Sequence, residues 1–123
     1  MSVLPYKRSD RVAELLKEEI SRILAEEVKD PRIGMVTITR VRLTDDLRYA
    51  RVYFSVMGGE QKRDQSLTGL NRAKQFIRAE IRAHTDLRYT PEVEFLYDDS
   101  LDYSERIEHL IAEIHRSKES DES

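Results

Sequence analysis

The sequence predicts an α+β sandwich, a three-stranded sheet with helices packed on one face and one more helix at the C-terminal end. Three observations predict it. Val12, Leu15, Leu16, Ile20, Ile23, Leu24 and Val28 recur at helical spacing ahead of Asp30-Pro31-Arg32-Ile33-Gly34. Residues 48–56 then alternate, with Ala50, Val52, Phe54 and Val56 on one face and Tyr49, Arg51, Tyr53 and Ser55 on the other. A second helical stripe, Leu67, Leu70, Ala73, Ile77 and Ile81, is followed by a further alternating run containing Val93, Phe95 and Tyr97.

Each element follows from local chemistry. Pro31 disfavours helical geometry at Asp30 and cannot donate a helix hydrogen bond, so the first helix is expected to end near there. Gly34 offers positive φ just before the chain becomes extended. Residues 35–43 form the first strand, joined to the second by the turn-rich Thr44-Asp45-Asp46-Leu47. Val36 and Ile38 share one parity and Val41 and Leu43 the other, so either a bulge near Thr39-Arg40 or partial cover on both sides is required. Gly58-Gly59 ends the hairpin and 60–66 reads as a polar loop.

The second helix is expected over about 64–84. Lys74 falls inside its apolar stripe, so either its stem snorkels or the helix breaks near Ala73. Pro91 opens the third strand, and Asp98-Asp99-Ser100 supplies helix-start chemistry. Tyr103, Ile107, Leu110, Ile111 and Ile114 stripe the last helix. Residues 1–116 read as one domain and 117–123 as an acidic, disordered tail. The sheet face bearing Tyr49, Arg51 and Tyr53 is expected to be wet.

Composition narrows the function. The 123 residues hold no cysteine, which excludes disulfide and thiolate chemistry and fits a reducing cytoplasm. No run of about 18 apolar residues could span a membrane, and Met1–Pro5 lacks a secretory core. The net charge of −3 hides a polarity: residues 1–91 carry 18 basic and 13 acidic side chains, residues 92–123 carry 3 and 11. The cations are mostly arginine, 15 against 6 lysines, and arginine's planar fork suits phosphate and base faces.

Arg72, Lys74, Arg78, Arg82 and Arg88 put five cations within 17 positions, opposed by Glu80 and Asp86. Such a ridge suits a phosphate backbone, because each contact releases counterions; an ordinary solvated face is the competing reading. Lys7, Arg8 and Arg11 form a smaller cluster whose charge opposes the first helix's dipole, or else a disordered basic start. Tyr49 and Tyr53 could stack bases or simply be good strand formers. Catalytic patterns are lacking. His84, His109 and His115 form no ligand spacing, Asp45-Asp46 and Asp98-Asp99 sit where turns and caps favour aspartate, and no metal, cofactor or nucleophile motif occurs.

Several spaced segments resemble the ribosome-binding factor A family. They are Lys29–Gly34, Asp46–Tyr53, Phe76-Ile77-Arg78, Pro91–Phe95 and Tyr97–Leu101, in order over residues 6–115. The resemblance implies a type II KH-like fold and no enzymatic activity. It also implies a cytoplasmic assembly factor that binds the immature small (30S) ribosomal subunit and its 16S rRNA. Late maturation, 5′-end processing, growth in the cold and release with the help of an assembly GTPase come with it, as does an RNA-facing surface at Arg72, Lys74, Arg78 and Arg82. In that family a helix-kink-helix with an Ala-x-Gly pattern replaces the KH Gly-x-x-Gly loop. It falls here on Ala73-Lys74-Gln75, with Gln75 in the glycine's place. On this reading a monomer holds phosphates with the second helix and takes a second grip with Lys7, Arg8 and Arg11. The acidic last helix faces away and aids release. The other reading is a protein-interaction module pairing through its sheet edge or its Tyr49/Tyr53 face.

Overall fold

The computed structural model describes residues 7–100 and 110–115. Helix α1 (Arg8–Glu26) leads through a 3-10 turn at Pro31–Ile33 into β1 (Thr37–Leu43) and β2 (Tyr49–Ser55). Helix α2 (Gly59–His84) then crosses to β3 (Glu92–Tyr97). The sheet order is β1-β2-β3, with β2 antiparallel to β1 and parallel to β3. The parallel pair needs a crossover, and α2 supplies it.

Both helices lie on one sheet face. Leu16, Ile20 and Ile23 of α1 and Leu70, Ile77 and Ile81 of α2 pack on Ala50, Val52 and Phe54 of the central strand. Val93 and Phe95 close the core from β3. The bulge expected in the first strand is present: the register shifts between Ile38 and Arg40, leaving Thr39 as the extra residue. Its hydroxyl donates to Asp98 Oδ2 at 2.6 Å, and Asp98 also accepts from the Ser100 N–H at 3.0 Å. Those hydrogen bonds, Thr39's first, hold the buried Asp98 carboxyl below the usual carboxylate range.

Several expectations are corrected. Helix α1 ends at Glu26, short of Asp30: the Glu27 N–H still makes the regular bond to the Ile23 carbonyl at 2.8 Å, but the Val28 N–H falls back on that same carbonyl at 3.1 Å instead of advancing to Leu24. Val28 still packs against the core, which is why it completes the periodicity. Leu15 is largely exposed. Gly34 is right-handed at φ −52°, so its positive-φ freedom is not used. Asp30 is extended, as Pro31 requires, and its carboxylate accepts from the Arg32 N–H at 2.9 Å to cap the 3-10 turn.

Residues 60–66 are helical rather than a loop. Gly58 at φ +119° turns the chain, and α2 starts on the next residue. Long unbranched side chains carry these first turns without an apolar stripe, and they meet the fold through Arg63, whose guanidinium lies 4.1 Å from the Tyr97 ring centre. Helix α2 is also continuous. Of the two readings of Lys74, a break near Ala73 is absent: Lys74 is half-buried within an unbroken α-helix. Snorkelling explains its place in the stripe. Residues 110–115 are helical, but Leu110, Ile111 and Ile114 are exposed there instead of buried. Tyr103, Ile107 and the tail at 117–123 lie outside the described residues.

Candidate nucleic-acid interface

The cations of α2 divide between two neighbourhoods. At about 100° per residue, Arg72 stands roughly 120° around the helix from Arg78. Arg72 lies on the side of the Pro31–Ile33 turn, where its charge is the least of the influences that hold the Asp30 carboxyl low. The larger causes there are hydrogen bonds from the Arg32 side chain and backbone, which hold the Asp30 carboxyl at about 2. Helix α2 meets that turn closely. A Cβ on Gly69 would stand 2.9 Å from Ile33 Cγ1, and the buried Ser66 hydroxyl donates to the Arg32 carbonyl at 3.1 Å.

Arg78 and Arg82 point to the other side, toward the segment entering β3. Arg78 was expected to stand off the core with its guanidinium free for phosphate. Instead its Nε donates to the Pro91 carbonyl at 2.9 Å and an Nη to the Thr90 carbonyl at 3.1 Å. An ion pair to Glu92 at 3.4 Å completes the set, and the side chain is 16% exposed. The loop before β3 has carbonyls with no sheet partner, and the five-donor fork answers two of them at once. Arg82 is exposed and donates to Thr90 Oγ1 at 3.3 Å. Arg88 is exposed beyond it, with its guanidinium 5.5 Å from the Tyr89 ring centre. Among the described residues, Arg72, Lys74, Arg82 and Arg88 form no ion pair.

The N-terminal cluster sits at α1's first turn. Arg8 and Arg11 are exposed, while Lys7 precedes the helix and lies 3.8 Å from Asp45. Asp10 offsets the unfavourable dipole by accepting from the Lys7 N–H at 3.2 Å. Lys7 shares a concavity with Arg40 and Arg42 of β1. The sequence reading passed over those two arginines. The bulge carried the signal, since shifting parity at Thr39 moves Arg40 and Arg42 to the face of Arg51 and Tyr53.

The paired acids have structural uses. Asp46 accepts from Thr44 Oγ1 at 2.6 Å and from the Arg48 N–H at 3.1 Å, and Asp98 holds the bulge. Among the described residues no group of three or more His, Asp or Glu could hold a metal ion. None of the described helices is long and apolar enough to cross a membrane.

Comparison with known proteins fits this arrangement. The family model of ribosome-binding factor A matches residues 8–111. Ribosome-binding factor A of Macrococcus caseolyticus is 49% identical over 111 residues, covering 90% of this chain and 97% of that protein. A solution structure of a Thermotoga maritima protein, described as a putative ribosome binding factor A, superposes with a TM-score of 0.69 at 32% identity. That alignment covers 80% of this chain and 94% of the other. A Thermus thermophilus ribosome binding factor A homology model, fitted into a cryo-EM map of its 30S complex, aligns at TM-score 0.53 and 31% identity. It covers 69% and 93% of the two chains. An α+β sandwich of KH-like fold, with matched sequence along nearly its whole length, places the chain in the ribosome-binding factor A family.

Proposed function

We propose that this protein is a small-subunit assembly factor that binds the immature 30S subunit through its 16S rRNA and performs no catalysis of its own. It acts in the cytoplasm as a monomer, assists late maturation and 5′-end processing, matters most in the cold, and leaves with the help of an assembly GTPase. The observation that carries the reading is the set of exposed or half-exposed cations on and after α2 (Arg72, Lys74, Arg82 and Arg88) that form no ion pair among the described residues. The Thermus relative's 30S complex supports the choice of partner. Unpaired guanidinium and ammonium groups on a rigid helix suit a phosphate backbone, whose neutralisation releases counterions. Arg78 aligns this surface by fixing α2 to the β3 entry, and Lys7, Arg8 and Arg11 add a second point of contact.

Sedimentation with precursor small subunits at increasing salt tests the reading. Attachment should weaken steeply, and Arg72→Gln with Lys74→Gln should lower the log–log slope by about 1 for each phosphate contact removed. A flat salt response would favour the protein-interaction alternative.

A further inference from the structure

We infer that the outer face of the sheet is a second RNA-contacting surface, built to take a single-stranded segment across β1, β2 and β3. Val52 and Ala50, buried, and their partners Val41 and Leu43, partly buried, face the helices, so Arg40, Arg42, Arg51 and Tyr53 stand together on the opposite face. Arg42 lies directly across from Arg51, and Arg40 across from Tyr53, with its guanidinium 4.1 Å from that ring's centre. A shallow groove over this face is lined by strand residues and the Thr44 turn, with no helix residue contributing.

The groove continues at both ends. Arg42 and Leu43 also line the concavity that holds Lys7. Tyr49 and Glu92 also line the one that holds Arg48 and Tyr89. The result is a track running from the start of α1 to the segment after α2. Tyr49 and Tyr89 are 58% and 56% exposed, and Arg48 and Arg88 both lie within 6 Å of the Tyr89 ring centre.

Charge and ring chemistry select the occupant. Among the described residues Arg40, Arg42, Arg48, Arg51 and Arg88 form no ion pair. The acids along the track are mostly engaged: Asp45 with Lys7 and Ser9, Asp46 within its turn, and Glu92 with Arg78. Glu94, across from Arg51 in the register, forms no ion pair among the described residues. Arginines interleaved with exposed tyrosines match a strand whose phosphates meet guanidinium groups while its unstacked bases lie on aromatic rings. A duplex hides those base faces. The inference rests on the chain being an RNA binder, but it assigns a face opposite the helices, which meets the α2 surface only at Arg88.

Fluorescence anisotropy of the full chain with a labelled ten-nucleotide oligouridine RNA tests it, beside an RNA duplex of equal length. Arg42→Gln with Arg51→Gln should weaken oligouridine binding at least tenfold. It should also lower the log–log salt slope by about 1.4, at roughly 0.7 per single-strand phosphate contact. Tyr49→Ala should weaken it about tenfold with the slope unchanged, and Tyr49→Phe should restore it, because stacking needs the ring alone. Arg72→Gln with Lys74→Gln should weaken oligouridine binding far less than the sheet pair does, while loosening the chain from small subunits. Wild-type oligouridine affinity in the sheet variants, or no preference for single strand over duplex, overturns the inference. Sheet variants that keep oligouridine binding but detach from subunits would make this face a protein contact, which overturns it too. Failure of the α2 surface shows separately, as an Arg72/Lys74 variant that sediments normally.

Discussion

Helix α2 meets the rest of the chain at two corners, and it does so by opposite means. Near its first half the Pro31–Ile33 turn comes so close that Gly69 leaves no room for a Cβ, and Ser66 supplies one short hydroxyl bond. Near its second half the contact is made by a long side chain, with Arg78 reaching two carbonyls of the β3 entry. The first corner is held by the smallest side chains and the second by one of the longest. Backbone carbonyls outside the sheet need donors at either corner, and side chains of different length deliver them. A guanidinium on the surface side of a helix is thus no evidence of a ligand site until its hydrogen bonds are known.

Substitution at the far corner should have the largest effect. Arg78→Ala strands the Thr90 and Pro91 carbonyls and should cost about 3 kcal/mol, combining two charge-assisted bonds with desolvated acceptors. Thermal unfolding would read this as a fall on the order of 10 °C. Arg78→Lys should recover only part, since an ammonium lacks the fork that meets both carbonyls. If Arg78→Ala melts like wild type while Arg72→Ala does not, the two neighbourhoods have been assigned in reverse. Gly69→Ala should come next. Overpacking against Ile33 costs about 1–3 kcal/mol, offset by up to about 1 kcal/mol of helix propensity, so urea unfolding should show a net loss near 1 kcal/mol. A stabilised Gly69→Ala would mean that the turn yields easily.

Ser66→Ala should cost about 1 kcal/mol or slightly more, as the Arg32 carbonyl loses its partner in a buried place. The smallest effect is an acid one. The Asp30 carboxyl lies at about 2 in the folded chain against an ordinary 3.8. Its contribution is therefore complete above about pH 4 and is lost as pH falls toward 2. Asp98, also held low, acts in the same direction at the sheet's bulge. Melting curves between pH 5 and pH 2 should fall less steeply for Asp30→Asn than for wild type. Equal slopes would show that the near corner does not depend on the Asp30–Arg32 pair.

Much of the fold was legible because burial leaves a periodic trace. The alternation of Ala50, Val52 and Phe54 and the spacing of Leu16, Ile20 and Ile23 gave strand and helix directly. Even the bulge at Thr39 showed as a parity conflict. The site was less legible. Arg78 looks in sequence like Arg72, since both lie outside the apolar stripe, and only the position of Thr90 and Pro91 separates them. Lys74 suggested a helix break because periodicity registers an aliphatic stem and its charge as one residue. The first turns of α2 read as a loop because their contacts are made by polar side chains, Arg63 over the Tyr97 ring and Ser66 on the Arg32 carbonyl, which leave no apolar period.

By itself the sequence determined which residues are apolar, where they recur, and hence the order of the elements and the family they belong to. It also set the stock of arginines and the absence of thiol chemistry. The tertiary structure alone decided which arginines are occupied. Occupancy depends on carbonyls and carboxylates brought from distant positions, Pro91 to Arg78 and Asp45 to Lys7, and no local pattern encodes those separations. It also decided that Arg40, Arg42 and Arg51 share a face, because a sheet joins side chains through register across strands rather than along one.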